Sequence, residues 1–132
     1  MSSDKIVFTN GCFDILHRGH IELLRLCKSL GKVVVGLNSD DSVRALKGQA
    51  RPVNTQEDRK YILEACRFVD KVVIFDEETP YELIEKISPD IVVKGGDYKV
   101  EDVVAGETAT VVIFNYIDGY STTKTIKDIT NR

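Results

Sequence analysis

Short apolar runs alternate with amphipathic stretches along the whole chain. The runs cover residues 6–8, 33–37, 72–75, 91–93 and 111–114, and they are rich in the β-branched residues that favour buried strands. Helix-like stretches separate most of these runs. The alternation predicts an α/β fold with a doubly wound parallel sheet, in which ligands bind beyond the carboxyl ends of the strands.

Helical periodicity predicts three helices between these strands. The first spans residues 20–30 and is followed by Gly31 as its C′ residue, and the next two span residues 41–46 and 55 to about 68. The apolar side chains on one face of the first and third helices are expected to face the core: Ile21, Leu24, Cys27, Leu30, Ile62, Leu63, Ala65 and Cys66.

A capping pattern predicts where a fourth helix begins. Thr79 is a residue type that suits an N-cap, Pro80 suits the first helical position, and Glu82 lies at N3 as in a capping box. The helix is expected to end at Ile87, because Ser88 and Pro89 cannot continue it.

Composition and charge narrow the class of protein. The 132 residues fit one domain, residues 1–132, and 42% hydrophobic with 30% charged residues is typical of a folded domain. A formal net charge of −3, without a block of like charges, disfavours a nucleic-acid partner. No apolar run approaches the roughly 20 residues of a membrane span, and residues 1–4 lack the features of a secretory signal. We therefore expect a cytoplasmic protein with reduced cysteines and no membrane partner.

Both histidines of the chain lie in one segment, residues 11–20, which follows the first strand and opens the first helix. Its sequence is Gly-Cys-Phe-Asp-Ile-Leu-His-Arg-Gly-His. His17 and His20 face the same side of a helix N-terminus, where unpaired N–H groups and the helix dipole attract anions. Gly19 has no Cβ, so a phosphate chain can approach the backbone. The predicted phosphate site comprises Thr9, Asn10, Gly11, Phe13, Asp14, His17, Gly19 and His20.

Other interpretations of the histidines stay open at this point. Two histidines at this spacing also occur as a surface pair. Cys12, His17 and His20 together offer three possible zinc ligands, although the sequence has no second Cys or His cluster to complete a structural site. We favour phosphate binding, with no resident metal and with Mg²⁺ carried by the nucleotide phosphates.

Three further segments carry candidate binding residues. The start of the last helix offers hydroxyls, N–H groups and a lysine to an anion, at Ser121, Thr122, Thr123 and Lys124. The turn after the fourth strand lets a flat ligand approach the backbone, at Gly95, Gly96 and Asp97. Cations flank the polar loop 47–54, at Lys47, Arg51 and Arg59. The structural alternatives are a helix cap, a tight turn and solvated surface charge.

The histidine segment resembles the H-x-G-H signature of the cytidylyltransferase-like nucleotidyltransferases. Residues 118–124, Asp-Gly-Tyr-Ser-Thr-Thr-Lys, resemble their second signature. The resemblance runs from Val7 to about Ile129 and implies a Rossmann-like domain. Within that superfamily the chain is most similar to the heptose 1-phosphate adenylyltransferase domain of the bifunctional heptose kinase/adenylyltransferases of lipopolysaccharide core biosynthesis. The segments that carry this similarity are residues 38–40, 47–48, 51–54, 93–99 and 118–123.

The resemblance implies a reaction and a set of residue roles. AMP would pass from ATP to a sugar 1-phosphate, D-glycero-D-manno-heptose 1-phosphate, giving ADP-heptose and pyrophosphate. His17, His20, Lys47 and Thr123 would act on the phosphates, and Gly95, Gly96 and Asp97 would lie against the base and ribose. The residues implied to bind the sugar phosphate are Asp14, Asn38, Arg51 and Arg59, although Asp14 has the alternative of holding its loop. The resemblance also implies a homodimer and, since no kinase half occurs in this sequence, a separate sugar kinase.

Related functions are the alternatives. Glycerol-3-phosphate cytidylyltransferases place an arginine and a threonine before Glu-Gly-x-Ser-Thr-Thr, where this chain has Tyr116 to Gly119, and they have Gly-Asp-Asp in place of Lys-Gly-Gly-Asp. FMN adenylyltransferases share the histidine signature without the Lys-Gly-Gly-Asp-Tyr segment. A catalytically silent nucleotide-binding or metal-sensing module is the alternative from a different functional class.

Overall fold

Five parallel strands form one sheet in the computed structural model, which describes residues 5–96, 99, 103–106, 109–115 and 119–131. The strand order is β3-β2-β1-β4-β5. The strands are β1 (Ile6–Gly11), β2 (Lys32–Asn38), β3 (Lys71–Phe75), β4 (Ile91–Gly95) and β5 (Thr110–Phe114). The helices are α1 (Arg18–Leu30), α2 (Asp40–Lys47), α3 (Gln56–Glu64), α4 (Tyr81–Ile87) and α5 (Thr122–Thr130). The predicted α/β fold with a doubly wound parallel sheet is confirmed.

Each face of the sheet carries its own apolar core. On one face, Leu24 of α1 and Leu63 of α3 belong to the same cluster as Val93 of β4. On the other face, Ile84 of α4 clusters with Val92 of β4 and with residues of β1 and β2. Because successive side chains of a strand point to opposite faces, every strand contributes to both cores.

The central strand β1 is the point where the chain reverses its direction across the sheet. It pairs with β2 on one side and with β4 on the other, so the first half of the chain builds outward through β2 and β3 and the second half through β4 and β5. Such a reversal opens a crevice between the carboxyl ends of the two strands that diverge from it, here β1 and β4. None of the described helices is long and apolar enough to cross a membrane.

The third helix differs from its prediction. It ends at Glu64 instead of about residue 68, and Ile62 and Ala65 are exposed, so the expectation that they face the core is wrong. The buried stripe of α3 consists instead of Arg59 and Leu63, four residues apart. Because hydrophobic periodicity counts only apolar residues, the buried Arg59 does not contribute to the pattern, and the buried face of α3 was predicted wrongly.

Two other helices differ in detail. On α1 the buried residues are Leu23, Leu24 and Cys27, so Leu23 was missed, while Ile21 and Leu30 are half-buried. On α4 the N-cap position belongs to Pro80, and no side-chain hydrogen bond caps the helix there. The predicted cap by Thr79 is therefore wrong, because the helix begins one residue later than the pattern indicated.

Candidate active site

A cavity of about 720 Å³ opens over the crevice between β1 and β4. The predicted site residues that line it are Asn10, Gly11, Phe13, Asp14, His17, Gly19, His20, Asn38, Lys47, Arg51, Gly95, Ser121, Thr122, Thr123 and Lys124. The fold thus brings together segments that lie up to about a hundred residues apart in the sequence. Thr9, Gly96 and Arg59 are not among the lining residues, and Asp97 lies outside the described residues.

The two histidines cap the first helix reciprocally. His17 is the N-cap of α1, and its Nδ1 accepts a hydrogen bond from the N–H of Gly19 at 3.0 Å. The Nδ1 of His20 accepts from the N–H of His17 at 3.2 Å, and the two rings stack with their centroids 3.8 Å apart. Because both Nδ1 atoms are acceptors, each neutral ring carries its proton on Nε2. The Nε2–H groups are therefore the donors that this pair offers to a ligand.

Both imidazoles are harder to protonate than a free histidine side chain, which favours their neutral form. The pKa of His20 is lowered from 6.5 to about 4, mainly by burial and also by His17, while the carboxylate of Asp14 opposes the shift. Burial also lowers the pKa of His17. The pair can therefore donate hydrogen bonds to phosphate oxygens without bringing a positive charge of its own.

Gly19 is required by the ring of His17. A Cβ atom at position 19 would lie 2.8 Å from Cε1 and 3.0 Å from Nδ1 of that ring, closer than real Cβ contacts allow. The glycine thus permits the cap itself. This differs from the reason that the sequence suggested, which was the approach of a phosphate to the backbone.

Asp14 fastens the loop that follows β1. Its side chain is buried, and its two carboxylate oxygens accept from the N–H groups of Val53 at 2.6 Å and Asn54 at 3.0 Å. Its backbone carbonyl accepts from the hydroxyl of Thr122 at the start of α5. The neighbours Phe13 and Ile15 have φ of 46° and 47°, a left-handed conformation that costs roughly 1–2 kcal/mol per residue. The contacts of Asp14 are those of a residue that holds its loop, which is the second of the two roles considered for it.

Arg59 does not line the cavity but binds the segments that form its wall. It is 1% exposed. Its guanidinium donates to the carbonyls of Cys12 at 2.7 Å, Asn38 at 2.8 Å and Asn54 at 3.0 Å, and to the carboxylate of Asp40 at 2.9 Å. These partners belong to the loop after β1, to the end of β2 and the start of α2, and to the polar loop before α3. Arg59 is therefore placed to position the cavity wall, and the predicted role in binding the sugar phosphate does not fit its burial.

Several other predicted residues are also held by protein contacts. The side chain of Asn38 is buried and donates to the hydroxyl of Ser42 at 2.9 Å. Thr9 is fully buried beneath the cavity. In contrast to Asn38, its hydroxyl oxygen makes no hydrogen bond with the described residues.

The start of α5 lies beside the histidine segment at the cavity, where a Cβ atom at position 19 would be 3.6 Å from Cβ of Tyr120. The hydroxyl of Ser121 caps α5 by accepting from the N–H of Lys124 at 2.9 Å. Thr123 is exposed and accepts from Arg51 at 3.5 Å. The ammonium of Lys124 pairs with Asp128, with Nζ 2.6 Å from Oδ2. The N-cap alternative for Ser121 is thus realised, and the first N–H groups of a nine-residue helix lie at the cavity.

The cavity is also lined by residues that were not predicted to bind a ligand, among them Lys94 and Tyr120. Lys94 lines the cavity from β4, is half-buried and has a lowered pKa because of that burial. Tyr120 also lines the cavity, and its ring centroid lies 6.4 Å from that of His17. A lysine that follows three apolar β-branched residues in the run Ile-Val-Val-Lys-Gly is a signal that could have identified the first. Tyr120 carries no comparable signal.

The metal interpretation of the histidines has no support in the geometry. Among the residues that the structure describes, no group of three or more His, Cys, Asp or Glu side chains is placed to hold a metal ion. Both Nδ1 atoms are used in the helix cap, and burial raises the pKa of the Cys12 thiol, which disfavours the thiolate that zinc requires.

Comparison with known proteins decides the family. The model of the Cytidylyltransferase-like family matches residues 8–128. The chain belongs to this family. The resemblance carried by the histidine segment and by the start of the last helix is thereby confirmed.

The curated relatives of this family member include two proteins named Bifunctional protein HldE. The one from Aliarcobacter butzleri is 57% identical over 127 residues, and the one from Sulfurimonas denitrificans is 56% identical over 130 residues. These matches cover 95% and 97% of the chain but 27% of each relative, so the chain spans about a quarter of the length of the curated relatives it matches.

Solved structures give the same fold. A lipopolysaccharide core biosynthesis protein from Thermoplasma volcanium superposes with a TM-score of 0.71 at 27% identity, over 86% of this chain and 98% of that one. A protein of unknown function from Archaeoglobus fulgidus superposes with a TM-score of 0.59 at 21% identity, over 84% of this chain and 98% of that one.

Proposed function

We propose that this protein is an adenylyltransferase that transfers AMP from ATP to D-glycero-D-manno-heptose 1-phosphate. The observation that carries the proposal is that the reciprocally capped histidine pair and the start of α5 line one cavity, in a chain of this family. The similarity to proteins named Bifunctional protein HldE and to a lipopolysaccharide core biosynthesis protein supports the choice of sugar. The products are ADP-heptose and pyrophosphate.

The chemistry is a single displacement at phosphorus. An oxygen of the sugar phosphate attacks the α-phosphorus of ATP, a new P–O bond forms, and the bond to the β-phosphate oxygen breaks as pyrophosphate leaves. The attacking and leaving oxygens lie roughly in line, so the protein accelerates the step by positioning and by stabilising charge. The Nε2–H groups of His17 and His20 donate to oxygens on which negative charge grows in the transition state.

The start of α5 and the cations around the cavity hold the triphosphate and the acceptor in this proposal. The N–H groups at the helix start, the hydroxyls of Ser121 and Thr123, and Lys124 bind the β- and γ-phosphates. Lys47, which is exposed at the end of α2, and Arg51 reduce the repulsion between the two substrates. Gly95, Gly96 and Asp97 contact the base and ribose.

Mg²⁺ belongs to the nucleotide in this proposal. The carboxylate of Asp14, which lines the cavity, is committed to two backbone N–H groups and lies 3.5 Å from Arg51. The triphosphate oxygens therefore supply the ligands of the ion, which usually keeps several waters as well. Bound in this way, the ion neutralises charge on the leaving pyrophosphate. We place the enzyme in the cytoplasm, as a homodimer, on the resemblance described above.

Pyrophosphate release tests the proposal directly. The protein is offered ATP or CTP, each with heptose 1-phosphate or glycerol 3-phosphate, in the presence of Mg²⁺. We expect turnover with ATP and the heptose phosphate alone, and a loss of about 100-fold or more in His17→Ala and His20→Ala. Turnover only with CTP and glycerol 3-phosphate would establish the cytidylyltransferase alternative. Silence in all four mixtures, with ATP bound, would establish a nucleotide-binding module.

A further inference from the structure

The cavity lies at the carboxyl edge of the sheet. Residues from both faces of the sheet, the α1 face and the α4 face, line it. Val93 packs in the core under α1, and Val92 packs in the core under α4. Strand alternation therefore places Lys94 on the α4 face. Asn10 lies on that same face, two residues after Phe8, which belongs to the α4 core. The histidines approach the cavity from α1, on the opposite face.

Lys94 of the α4 face has a second positive charge near it in the cavity. Lys94 is half-buried and lines the cavity together with Lys47 and Cys12. Burial lowers the pKa of Lys94, Cys12 opposes that shift, and the ammonium of Lys47 lowers the pKa further. A half-buried ammonium group that is repelled by a second, exposed one is stabilised when a phosphate dianion lies between the two.

The geometry of the reaction indicates which substrate these positive charges would bind. If the histidines and the start of α5 hold the pyrophosphate that leaves, in-line displacement requires the attacking oxygen on the opposite side of the α-phosphorus. Among the lining residues, Asn10 and Lys94 lie on the α4 face, away from the face from which the histidines approach. We propose that Lys94, together with Lys47, binds the phosphate of the acceptor and thereby selects a phosphate monoester as the nucleophile. This inference rests on the proposed nucleotidyl transfer.

Steady-state kinetics and equilibrium binding on a set of variants test this role. Lys94→Met removes the charge and keeps the length of the side chain, Lys94→Arg keeps the charge, and Lys71→Met is the matched control at an exposed lysine at the start of β3. For Lys94→Met we expect the KM for heptose 1-phosphate to rise by about 10- to 100-fold, the range of one charge-assisted hydrogen bond. The Kd for ATP should change by less than about threefold, Lys94→Arg should recover part of the loss, and Lys71→Met should behave as wild type.

The opposite pattern would overturn the proposal. A weakened Kd for ATP in Lys94→Met, with an unchanged KM for the acceptor, would assign Lys94 to the nucleotide. Equal losses in the KM for the acceptor and in the Kd for ATP would also overturn the proposal, because Lys94 would then not be specific to the acceptor.

A binding measurement separates this proposal from the proposed function. Should wild-type protein fail to use heptose 1-phosphate, the sugar assignment fails, and Lys94 is then tested with inorganic phosphate. The affinity for inorganic phosphate is measured by phosphorus NMR with α,β-methylene ATP bound, in wild type and in Lys94→Met. A loss of about tenfold or more in the variant supports the acceptor-phosphate role, and equal affinities refute it.

Discussion

Arg59→Met tests whether a buried cation holds the cavity wall together. The guanidinium donates to three backbone carbonyls and one carboxylate, at distances of 2.7 to 3.0 Å. Methionine fills a similar volume but leaves these acceptors without their donors. Breaking a buried charge network from one side costs about 3–5 kcal/mol, a large part of the 5–15 kcal/mol by which domains are stable. Arg59→Lys should also be strongly destabilising, because one ammonium cannot reach acceptors on three segments.

Urea unfolding followed by far-UV circular dichroism measures this loss, since the chain has no tryptophan to report by fluorescence. The control is Arg25→Met, whose exposed side chain lies 4.0 Å from Glu22 and should contribute less than about 0.5 kcal/mol. A loss below about 1 kcal/mol in Arg59→Met would refute the positioning role. Unchanged stability with a raised KM for the acceptor would restore the substrate-binding role that the sequence suggested.

Three further predictions concern the histidine cap and the core. Gly19→Ala should push the ring of His17 out of its cap, so we expect turnover to fall at least tenfold and stability to fall by about 1 kcal/mol; unchanged kinetics would contradict this. The pKa of His20 is about 4 in the folded protein and 6.5 in the unfolded chain. Between pH 6.5 and pH 4 the folded protein therefore binds fewer protons than the unfolded chain, so the free energy of unfolding should fall by up to about 3 kcal/mol as the pH drops through this range. Urea midpoints across that range should lose most of this slope in His20→Gln. Leu63→Ala should cost about 2–5 kcal/mol and Ile62→Ala less than about 1 kcal/mol; similar costs in urea unfolding would contradict the assigned face of α3.

The strands and the location of the site were predictable because their signals are local. An apolar β-branched run indicates a buried strand wherever it lies, and parallel strands bring their carboxyl ends to one edge. The role of Arg59 was not predictable, because its burial depends on carbonyls contributed by three segments that are far apart in the sequence. The requirement for glycine at position 19 was not predictable either, because the ring of His17 comes close to Gly19 only in the folded helix cap.

Asp14 and Arg59 both bind backbone groups of the loops at the cavity, Asp14 as an acceptor and Arg59 as a donor. Part of the wall of the cavity consists of loops, whose backbone groups lack the partners that a helix or sheet provides. Asp14 accepts from the N–H of Asn54, and Arg59 donates to the carbonyl of the same residue. Each charge is thereby balanced mainly by backbone groups, with Arg51 and Asp40 as the nearby ions of opposite sign. Loops held in this way keep the phosphate-binding groups in place before substrate arrives, as a reaction accelerated mainly by positioning requires.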